Sequence, residues 1–169
     1  MLILMAGLPG TGKSTVAAEL GSHVNGVILS KDTVRHALFA PELIEYSTTQ
    51  DDFVIEVLLL TAVYIWSLHP QKTIILDGRT FSRASQRRHV IDFAERARQP
   101  WRIIECICPD AIAKSRLGRP DLHHPAGNRT PALYDEVKSR WEPIAHDHLT
   151  VRTDAPIDYA TVISTLSLK

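Results

Sequence analysis

The segment Gly7-Leu8-Pro9-Gly10-Thr11-Gly12-Lys13-Ser14 gives the clearest indication of how this chain folds. It matches the pattern G-x-x-x-x-G-K-[ST] at every fixed position, and it lies between an apolar run, Leu2 to Ala6, and a stretch of helical apolar spacing, Lys13 to His23. In such a strand–loop–helix unit, glycines let backbone N–H groups converge on a polyphosphate. The segment therefore predicts a nucleoside triphosphate site, with the Lys13 ammonium on the β- and γ-phosphates and the Ser14 hydroxyl on Mg²⁺.

Beyond this segment, apolar runs typical of strands alternate with stretches typical of helices. Such alternation is typical of a parallel β-sheet with helices on both faces, so we predict an α/β fold of one domain spanning residues 1–169. The predicted strands are residues 2–6, 27–29, 73–77, 101–108 and 149–151, and the predicted helices are residues 13–23, 32–39, 48–68, 83–98, 110–117, 132–141 and 156–166.

The longest predicted helix contains the longest apolar run of the chain, Phe53 to Trp66. This run includes Glu56 and is shorter than the roughly 20 residues that a membrane-spanning helix needs. Apolar residues form one stripe along the helix, which Ser47 or Thr48 could cap. The stripe consists of Phe53, Val57, Leu60, Tyr64 and Leu68.

Composition and charge restrict the class of protein. Of the 169 residues, 44% are hydrophobic, and 19 basic side chains balance 19 acidic ones, so the chain is globular and its net charge is zero. A neutral chain is unlike proteins that coat nucleic acid, although a local basic channel stays possible. Cys106 and Cys108 alternate along a predicted strand and are expected to be small buried side chains in a reducing compartment. No targeting segment is evident, and we expect a cytoplasmic protein with no membrane attachment and no obligate protein partner.

The phosphate-binding segment alone does not distinguish a kinase from an ATPase or a GTPase. The sequence has no N-K-x-D tetrapeptide to read guanine and no D-x-x-G after the third predicted strand, which disfavours a GTPase. A chain of 169 residues leaves no room for the second domain of a large mechanical ATPase. A small kinase is therefore the favoured class.

Asp32 and Arg35, just after the second predicted strand, are candidates for the acceptor side of a kinase site. Loops at the carboxyl ends of parallel strands face the ligand crevice, and a spacing of three places both side chains on one helix face. We expect Asp32 to accept the proton of the attacking hydroxyl group as general base, and Arg35 to hold the acceptor or a phosphate that it carries. The alternative is a helix-capping Asp beside an unrelated surface Arg.

Asp77 ends the third predicted strand and is a candidate Mg²⁺ ligand, binding directly or through water. Its alternative role is to cap the next helix. Arg79 follows at the same crevice and is a candidate contact of the acceptor. Arg83, Arg87 and Arg88 begin the next helix, and we expect them to form a solvated face. If they lined the acceptor entrance instead, the acceptor would be anionic.

Residues 117–131, rich in Pro, Gly and His, predict a loop that acts as a lid. A basic lid can close over a triphosphate, exclude water and neutralise charge on the transferring phosphoryl group. The sequence does not show which basic residue performs which role, and His123 and His124 are either exposed or contacts of the acceptor. Three arginines bracket the loop: Arg116, Arg119 and Arg129.

Together these motifs resemble the branch of P-loop kinases that includes polynucleotide 5′-hydroxyl kinases, zeta-toxin-like kinases and chloramphenicol-phosphotransferase-like kinases. The resemblance covers residues 1 to about 150. It implies a P-loop NTPase kinase fold with a five-stranded parallel sheet, helices on both faces, a lid, and the strand of Asp77 beside the first strand. The motifs that carry it are Gly7 to Thr15, Ser30-Lys31-Asp32-Thr33-Val34-Arg35, Ile74-Ile75-Leu76-Asp77 and the spaced arginines of Ala111 to Arg119.

The resemblance also implies roles for single residues. Asp32 would activate the acceptor hydroxyl, Arg35 would bind the acceptor or a phosphate, and Arg152-Thr153-Asp154 occupies the usual position of adenine contacts. From the lid, Arg116 would stabilise the transferring group and Arg119 would bind the donor phosphates, or the reverse. The residues expected to bind ATP are Gly7, Leu8, Pro9, Gly10, Thr11, Gly12, Lys13, Ser14 and Thr15.

Adenylylsulfate kinases share the first motif but typically carry Asp-Gly-Asp where this chain has Ser30-Lys31-Asp32, and the Ser/Asn-x-Asp-x-x-Arg of polynucleotide kinases fits better. The sequence therefore predicts an ATP-dependent phosphotransferase that moves the γ-phosphate of ATP·Mg²⁺ to a hydroxyl group. Two acceptor classes stay open: a nucleic-acid 5′ end, and a small molecule such as an antibiotic, a sugar or a nucleoside. A nucleotide-binding switch or a plain ATPase is the remaining alternative.

Overall fold

A parallel sheet of five strands organises the structure, a computed structural model that describes residues 1–119 and 129–167. The strands lie in the order β2-β3-β1-β4-β5, which confirms the predicted α/β class and places β3, the strand of Asp77, beside β1. Their bounds are β1 Leu2–Ala6, β2 Val27–Ser30, β3 Ile74–Asp77, β4 Trp101–Ile107 and β5 Leu149–Arg152.

Helices connect the strands, and their bounds agree with the predicted ones to within three residues. The structure adds a 3₁₀ turn at Pro41–Leu43 that the sequence did not predict, and it starts the last helix three residues later, at Tyr159. The helices are α1 Lys13–His23, α2 Lys31–Leu38, α3 Thr48–Leu68, α4 Ala84–Arg96, α5 Asp110–Leu117, α6 Pro131–Ser139 and α7 Tyr159–Ser167.

The register of the sheet determines what meets at its carboxyl edge. Leu2 of β1 pairs with Ile74 on one side and Trp101 on the other, so the central strands start level with one another. At the far end Ser30 pairs with Asp77, which brings the start of α2 next to the end of β3. In a parallel sheet this carboxyl edge is the place where ligands bind.

The core lies on both faces of the sheet. Leu2 and Leu4 of β1 point to one face, where α3 and α4 cover them, while Ile3 and Met5 point to the other face, towards α1 and α7. Side chains alternate along a strand, and here both faces are apolar, as expected for a buried parallel strand. β1 therefore holds the phosphate-binding segment on a rigid base.

The apolar stripe predicted along α3 is not the face that the helix buries. Leu60 and Tyr64 are 69% and 67% exposed, and Phe53 and Leu68 are also more than half exposed. The buried face contains Ile55, Leu58, Leu59, Ala62 and Trp66, which pack against the sheet. Because α3 is apolar around most of its circumference, periodicity offers two faces, and only the position of the sheet decides between them. Among the described residues, no helix is both long and apolar enough to cross a membrane.

The structure corrects the expectation that Arg87 belongs to a solvated face. Its side chain is fully buried, and burial lowers the pKa of its guanidinium. Nη1 donates a hydrogen bond to the Phe81 carbonyl at 2.7 Å, and Nη2 donates to the carbonyls of Glu142 and Pro143 at 3.0 and 2.9 Å. Arg87 thus fastens the chain that follows α6 to the start of α4, while its neighbour Arg88 is exposed as expected.

Replacing Arg87 by Met is expected to lower the free energy of unfolding by about 3 kcal/mol. The substitution keeps most of the apolar volume but leaves one buried and two partly buried carbonyl groups without their donor. Urea unfolding of the purified protein measures this change. Arg88→Met is the matched control and should change stability by no more than about 0.5 kcal/mol, as is usual at a surface position. Equal effects of the two substitutions would contradict the structural role of Arg87.

Candidate nucleotide and acceptor site

The segment of residues 7–14 forms a tight loop between β1 and α1. Gly7 has φ +139°, and a Cβ there would lie 2.4 Å from the Cys106 carbonyl oxygen and 2.9 Å from Thr11 Oγ1. The Gly7 N–H donates to the Thr80 carbonyl, and Thr11 Oγ1 donates to the Leu8 carbonyl at 2.8 Å. Neighbouring strands therefore hold the loop in a shape that only glycine permits at position 7.

The side chain of Lys13 folds back and forms hydrogen bonds with the loop that precedes it. Its Nζ donates to the carbonyl oxygens of Gly7 and Leu8 at 3.0 and 2.9 Å. Burial lowers the pKa of Lys13 below its ordinary value, although the negative charges of Asp77 and Asp32 act in the opposite direction. The ammonium therefore stands at the loop with partners that anionic phosphate oxygens can replace.

Gly10→Ala is expected to reduce ATP affinity at least ten-fold. Gly10 has φ +76°, and a Cβ there would lie 2.5 Å from the Ala113 carbonyl oxygen of α5, so the loop must move. The dissociation constant of a fluorescent ATP analogue measures the effect. Gly118→Ala is the control, because Gly118 has φ −76° and its added Cβ would meet no atom closer than 3.5 Å. Wild-type affinity in Gly10→Ala would show that the loop does not contact the nucleotide.

Asp77 lies at the end of β3 with its side chain almost fully buried. Its Oδ1 has no hydrogen-bond partner within the described part of the chain, and its charge acts on Lys13. A buried carboxylate oxygen without a donor is costly unless a ligand satisfies it. Mg²⁺ typically keeps several waters and takes one or two protein oxygens beside the phosphates, so Asp77 and the Ser14 hydroxyl fit such an ion.

A cavity of about 660 Å³ opens over the loop, which is space for a nucleotide and a small second ligand. The cavity joins the phosphate loop to the starts of α2 and α3. Of the predicted site residues, those that line it are Pro9, Gly10, Gly12, Lys13, Ser14, Thr15, Asp32, Arg116 and Arg119, while Gly7, Leu8, Thr11, Arg35, Asp77 and Arg79 do not.

Asp32 lies in a network of two carboxylates and two cations. Its Oδ1 accepts a hydrogen bond from Arg35 Nη1 at 3.0 Å and lies 3.4 Å from Lys31 Nζ. Asp51, in the first turn of α3, accepts from Lys31 Nζ at 2.7 Å and also from Arg35 Nη2. Asp32 and Asp51 both line the cavity, whereas Arg35 is completely buried behind them. The network fixes the orientation of Asp32 towards the cavity.

The two arginines predicted to contact the acceptor lie outside the cavity lining. Arg35 contacts Asp32 and Asp51 and lies under the ring of Tyr46, with Cζ 5.2 Å from the ring centroid. Arg79 is buried as well, and its Nη2 donates to Asp52 at 2.6 Å. In this structure both arginines position neighbouring side chains, and their contact with an acceptor stays a prediction.

Arg116 connects the lid side of the cavity to the phosphate loop. Its Nη2 donates to the Thr153 carbonyl at 2.7 Å, and its Nη1 donates to Thr153 Oγ1 at 3.0 Å and to the Gly10 carbonyl at 3.4 Å. Arg119 and Arg129 also line the cavity, which is where the lid hypothesis requires them. The lid residues His123 and His124 lie outside the described residues.

Residues 2–144 match the AAA domain family AAA_33, which covers most of the chain. The chain belongs to this AAA domain family. A comparison with curated proteins finds no match.

Three solved structures similar to this AAA domain are described as kinases or contain a nucleotide. A candidate kinase from Chloroflexus aurantiacus is 24% identical, with 99% of this chain and 96% of that chain covered and a TM-score of 0.74. The APS kinase CysC of Mycobacterium tuberculosis, in complex with AMPPNP and APS, is 17% identical, with coverage of 98% and 96% and a TM-score of 0.71. Kti12 of Chaetomium thermophilum, with ADP-AlF3, is 18% identical, with coverage of 99% and 96% and a TM-score of 0.66.

These likenesses show that the AAA domain has the fold of P-loop kinases. They do not single out the polynucleotide kinase and zeta-toxin branch that the sequence motifs resemble, so that finer assignment stays a prediction.

Sequence reasoning missed several cavity residues of this AAA domain. The sequence assigns no role to Lys31, although it adjoins Asp32, and none to Tyr46, which precedes α3 and belongs to no motif. Asp51 gave no signal beyond being an acidic residue in a first helical turn, where such residues are common. Thr153 was noted only for its position, and the structure shows its Oγ1 donating to the Thr11 carbonyl at 2.8 Å.

Proposed function

We propose that this AAA domain is an ATP-dependent phosphotransferase that moves the γ-phosphate of ATP to a hydroxyl group. The observation that carries the proposal is that Asp32 lines the same cavity as Lys13 and Ser14 of the phosphate loop. A general base and a triphosphate cradle that share one cavity provide the two halves of a kinase site.

In this mechanism Asp32 accepts the proton of the acceptor hydroxyl. The acceptor oxygen forms a bond to the γ-phosphorus, the bond between that phosphorus and the bridging oxygen breaks, and ADP leaves. Lys13 and the cavity arginines, Arg116 and Arg119, offset the negative charge of the transferring group. Mg²⁺ held by Ser14 and Asp77 would supply further positive charge to the phosphate oxygens when bound.

The tight loop around Gly7 supports the proposed binding of ATP. The paired side chains around Asp32 support the proposed transfer of a proton from the acceptor hydroxyl. Arg35 and Lys31 hold Asp32 at the cavity as a charged acceptor of hydrogen bonds. A nucleotide-binding switch would need the phosphate loop but would have no use for a carboxylate presented beside it.

Radiolabelled ATP tests the proposal directly. Protein with [γ-³²P]ATP and Mg²⁺ is incubated with two acceptor pools, 5′-hydroxyl oligonucleotides and a small-metabolite extract, and the products are separated by charge and size. We expect label in a product that is neither ATP nor inorganic phosphate. Label released only as inorganic phosphate would indicate an ATPase, and nucleotide binding without turnover would indicate a switch.

A further inference from the structure

The two cations that contact Asp32, Lys31 and Arg35, are each paired with a second carboxylate as well. Lys31 Nζ lies 2.7 Å from Asp51 and 3.4 Å from Asp32, and the buried guanidinium of Arg35 bridges the same two carboxylates. Arg79 is paired with Asp52, the next residue of α3. Asp51, in the first turn of α3, and Asp52 directly after it thus compensate the positive charges that an anionic acceptor would need.

The acceptor side of the cavity is lined by the carboxylates of Asp32 and Asp51, by Lys31, which is paired with them, and by the ring of Tyr46. Their charges, together with that of Arg35 behind them, sum to zero. A phosphate or sulfate placed here would meet two carboxylates beside Lys31, and it would bind this cation only by displacing Asp51 from its ion pair. Like charges repel one another strongly in a partly buried site, so the acceptor side of the cavity disfavours the binding of an anion.

The donor side of the cavity is built in the opposite way. Lys13 bonds only carbonyl oxygens of the loop, and Arg116 bonds the Gly10 and Thr153 carbonyls and the Thr153 hydroxyl. None of these hydrogen-bond partners is a carboxylate, so a triphosphate can replace them at both cations without breaking an ion pair. The cavity therefore separates a cationic half around the phosphate loop from an electrically balanced half around α2 and α3.

We propose that the phosphoryl acceptor is an uncharged, hydroxyl-rich small molecule, such as a sugar or a cyclitol, and not a phosphate- or sulfate-bearing one. This proposal rests on the proposed phosphotransferase function. Carboxylate oxygens accept hydrogen bonds from adjacent hydroxyl groups, so Asp51 can hold one hydroxyl while Asp32 takes the proton of another. The Tyr46 ring, 40% exposed, offers a flat apolar surface to the C–H face of a ring-shaped acceptor.

A panel of defined acceptors tests the proposal with the wild-type protein and saturating ATP·Mg²⁺. One arm contains sugars, cyclitols and glycosides, a second contains 5′-hydroxyl oligonucleotides and nucleoside 3′-monophosphates, and a third contains amino sugars. We expect kcat/KM of the best uncharged acceptor to exceed that of any phosphate-bearing one at least 100-fold. A better phosphate-bearing or amine-bearing acceptor overturns the proposal. Transfer to no acceptor in any arm, with ATP bound, overturns the phosphotransferase function itself.

Removing the compensating carboxylates tests the physical cause. In Asp51→Asn, Lys31 and Arg35 face one carboxylate in place of two, so sodium sulfate should inhibit acceptor phosphorylation competitively at a concentration at least ten-fold lower than in wild type. Asp51→Ser removes the same charge with a smaller side chain and serves as the second variant if Asp51→Asn does not fold.

Glu95→Gln is the charge-matched control, since Glu95 is exposed and lies near the C-terminal end of α4. Sodium chloride at equal ionic strength corrects for screening. Strong sulfate inhibition of the wild-type protein, competitive with the acceptor, would overturn the proposal. Unchanged sulfate inhibition in both variants would overturn it as well.

Discussion

Asp32→Asn is expected to reduce the rate of phosphoryl transfer by about 10³-fold while ATP affinity stays within about three-fold of wild type. An amide has the shape of the carboxylate but cannot take up the proton of the acceptor hydroxyl, and general base catalysis contributes roughly 10²–10⁴-fold. Because Asp32 is 7% exposed and hydrogen-bonded to Arg35, the amide should keep its place in the network. Single-turnover transfer from [γ-³²P]ATP gives the rate, and titration with a fluorescent ATP analogue gives the affinity.

The controls for Asp32→Asn separate chemistry from folding. Thermal unfolding should show a folded protein, since Asp51 still pairs with both Lys31 and Arg35. Glu95→Gln removes an equal charge far from the cavity and should retain wild-type turnover. If Asp32→Asn transferred phosphate at the wild-type rate, Asp32 would not be the base, and the network around it would have a purely structural purpose.

Much of the fold was predictable because its signals are local. Continuous apolar runs predicted buried strands such as β1, and the predicted helix starts after Gly12 and Ser47 are confirmed. The residue that caps α2 is Ser30, and not Asp32, the alternative cap that the sequence offered. The exposed stripe of α3 shows where local signals end. Helical spacing shows which residues share a face, but the face that becomes buried depends on where the sheet lies, and in a helix as apolar as α3 the sequence does not show this.

The candidate site also contains residues that the local sequence predicts and residues that it does not predict. The loop of residues 7–14 and the position of Asp32 at a strand end follow from spacing alone, because the chemistry needs those residue types next to one another. The roles of Arg87 and Asp51 cannot be predicted from spacing, because they depend on contacts with residues that lie 55 and 16 positions away along the chain. An arginine in a basic run usually faces water, and only the three carbonyl groups that accept hydrogen bonds from Arg87 show why it is buried here.

The arrangement of charges explains how one cavity can hold two substrates of different character. Carbonyl partners leave Lys13 and Arg116 able to bind phosphate, whereas carboxylate partners make Lys31 and Arg35 supports of Asp32. A base between these two halves needs to stay correctly oriented while a highly charged nucleotide lies beside it. Nearby cations that are already paired hold this orientation without attracting the triphosphate to the acceptor side.

Lys13→Met is expected to reduce phosphoryl transfer by about 10³-fold or more and to weaken ATP binding at least ten-fold. The ammonium is the cation nearest the loop carbonyls, and a preorganised charge in a water-poor site stabilises the transferring group strongly. Met fills a similar volume, so the loop should keep its shape. Isothermal titration with ATP·Mg²⁺ and single-turnover transfer measure the two effects, and wild-type values for both would exclude Lys13 from the nucleotide site.

The pH dependence of ATP binding provides an independent test of Lys13. Burial lowers the pKa of Lys13 in the free protein, whereas bound phosphates favour the protonated form. ATP affinity should therefore be lost as pH rises through this lowered value, at a pH below that at which an exposed lysine would titrate. Lys13→Arg keeps its positive charge throughout this range, and its ATP affinity, although lower at neutral pH, should show no alkaline decline. An identical alkaline decline in wild type, Lys13→Met and Lys13→Arg would assign the titration to another group and remove the evidence that the buried ammonium contacts the nucleotide.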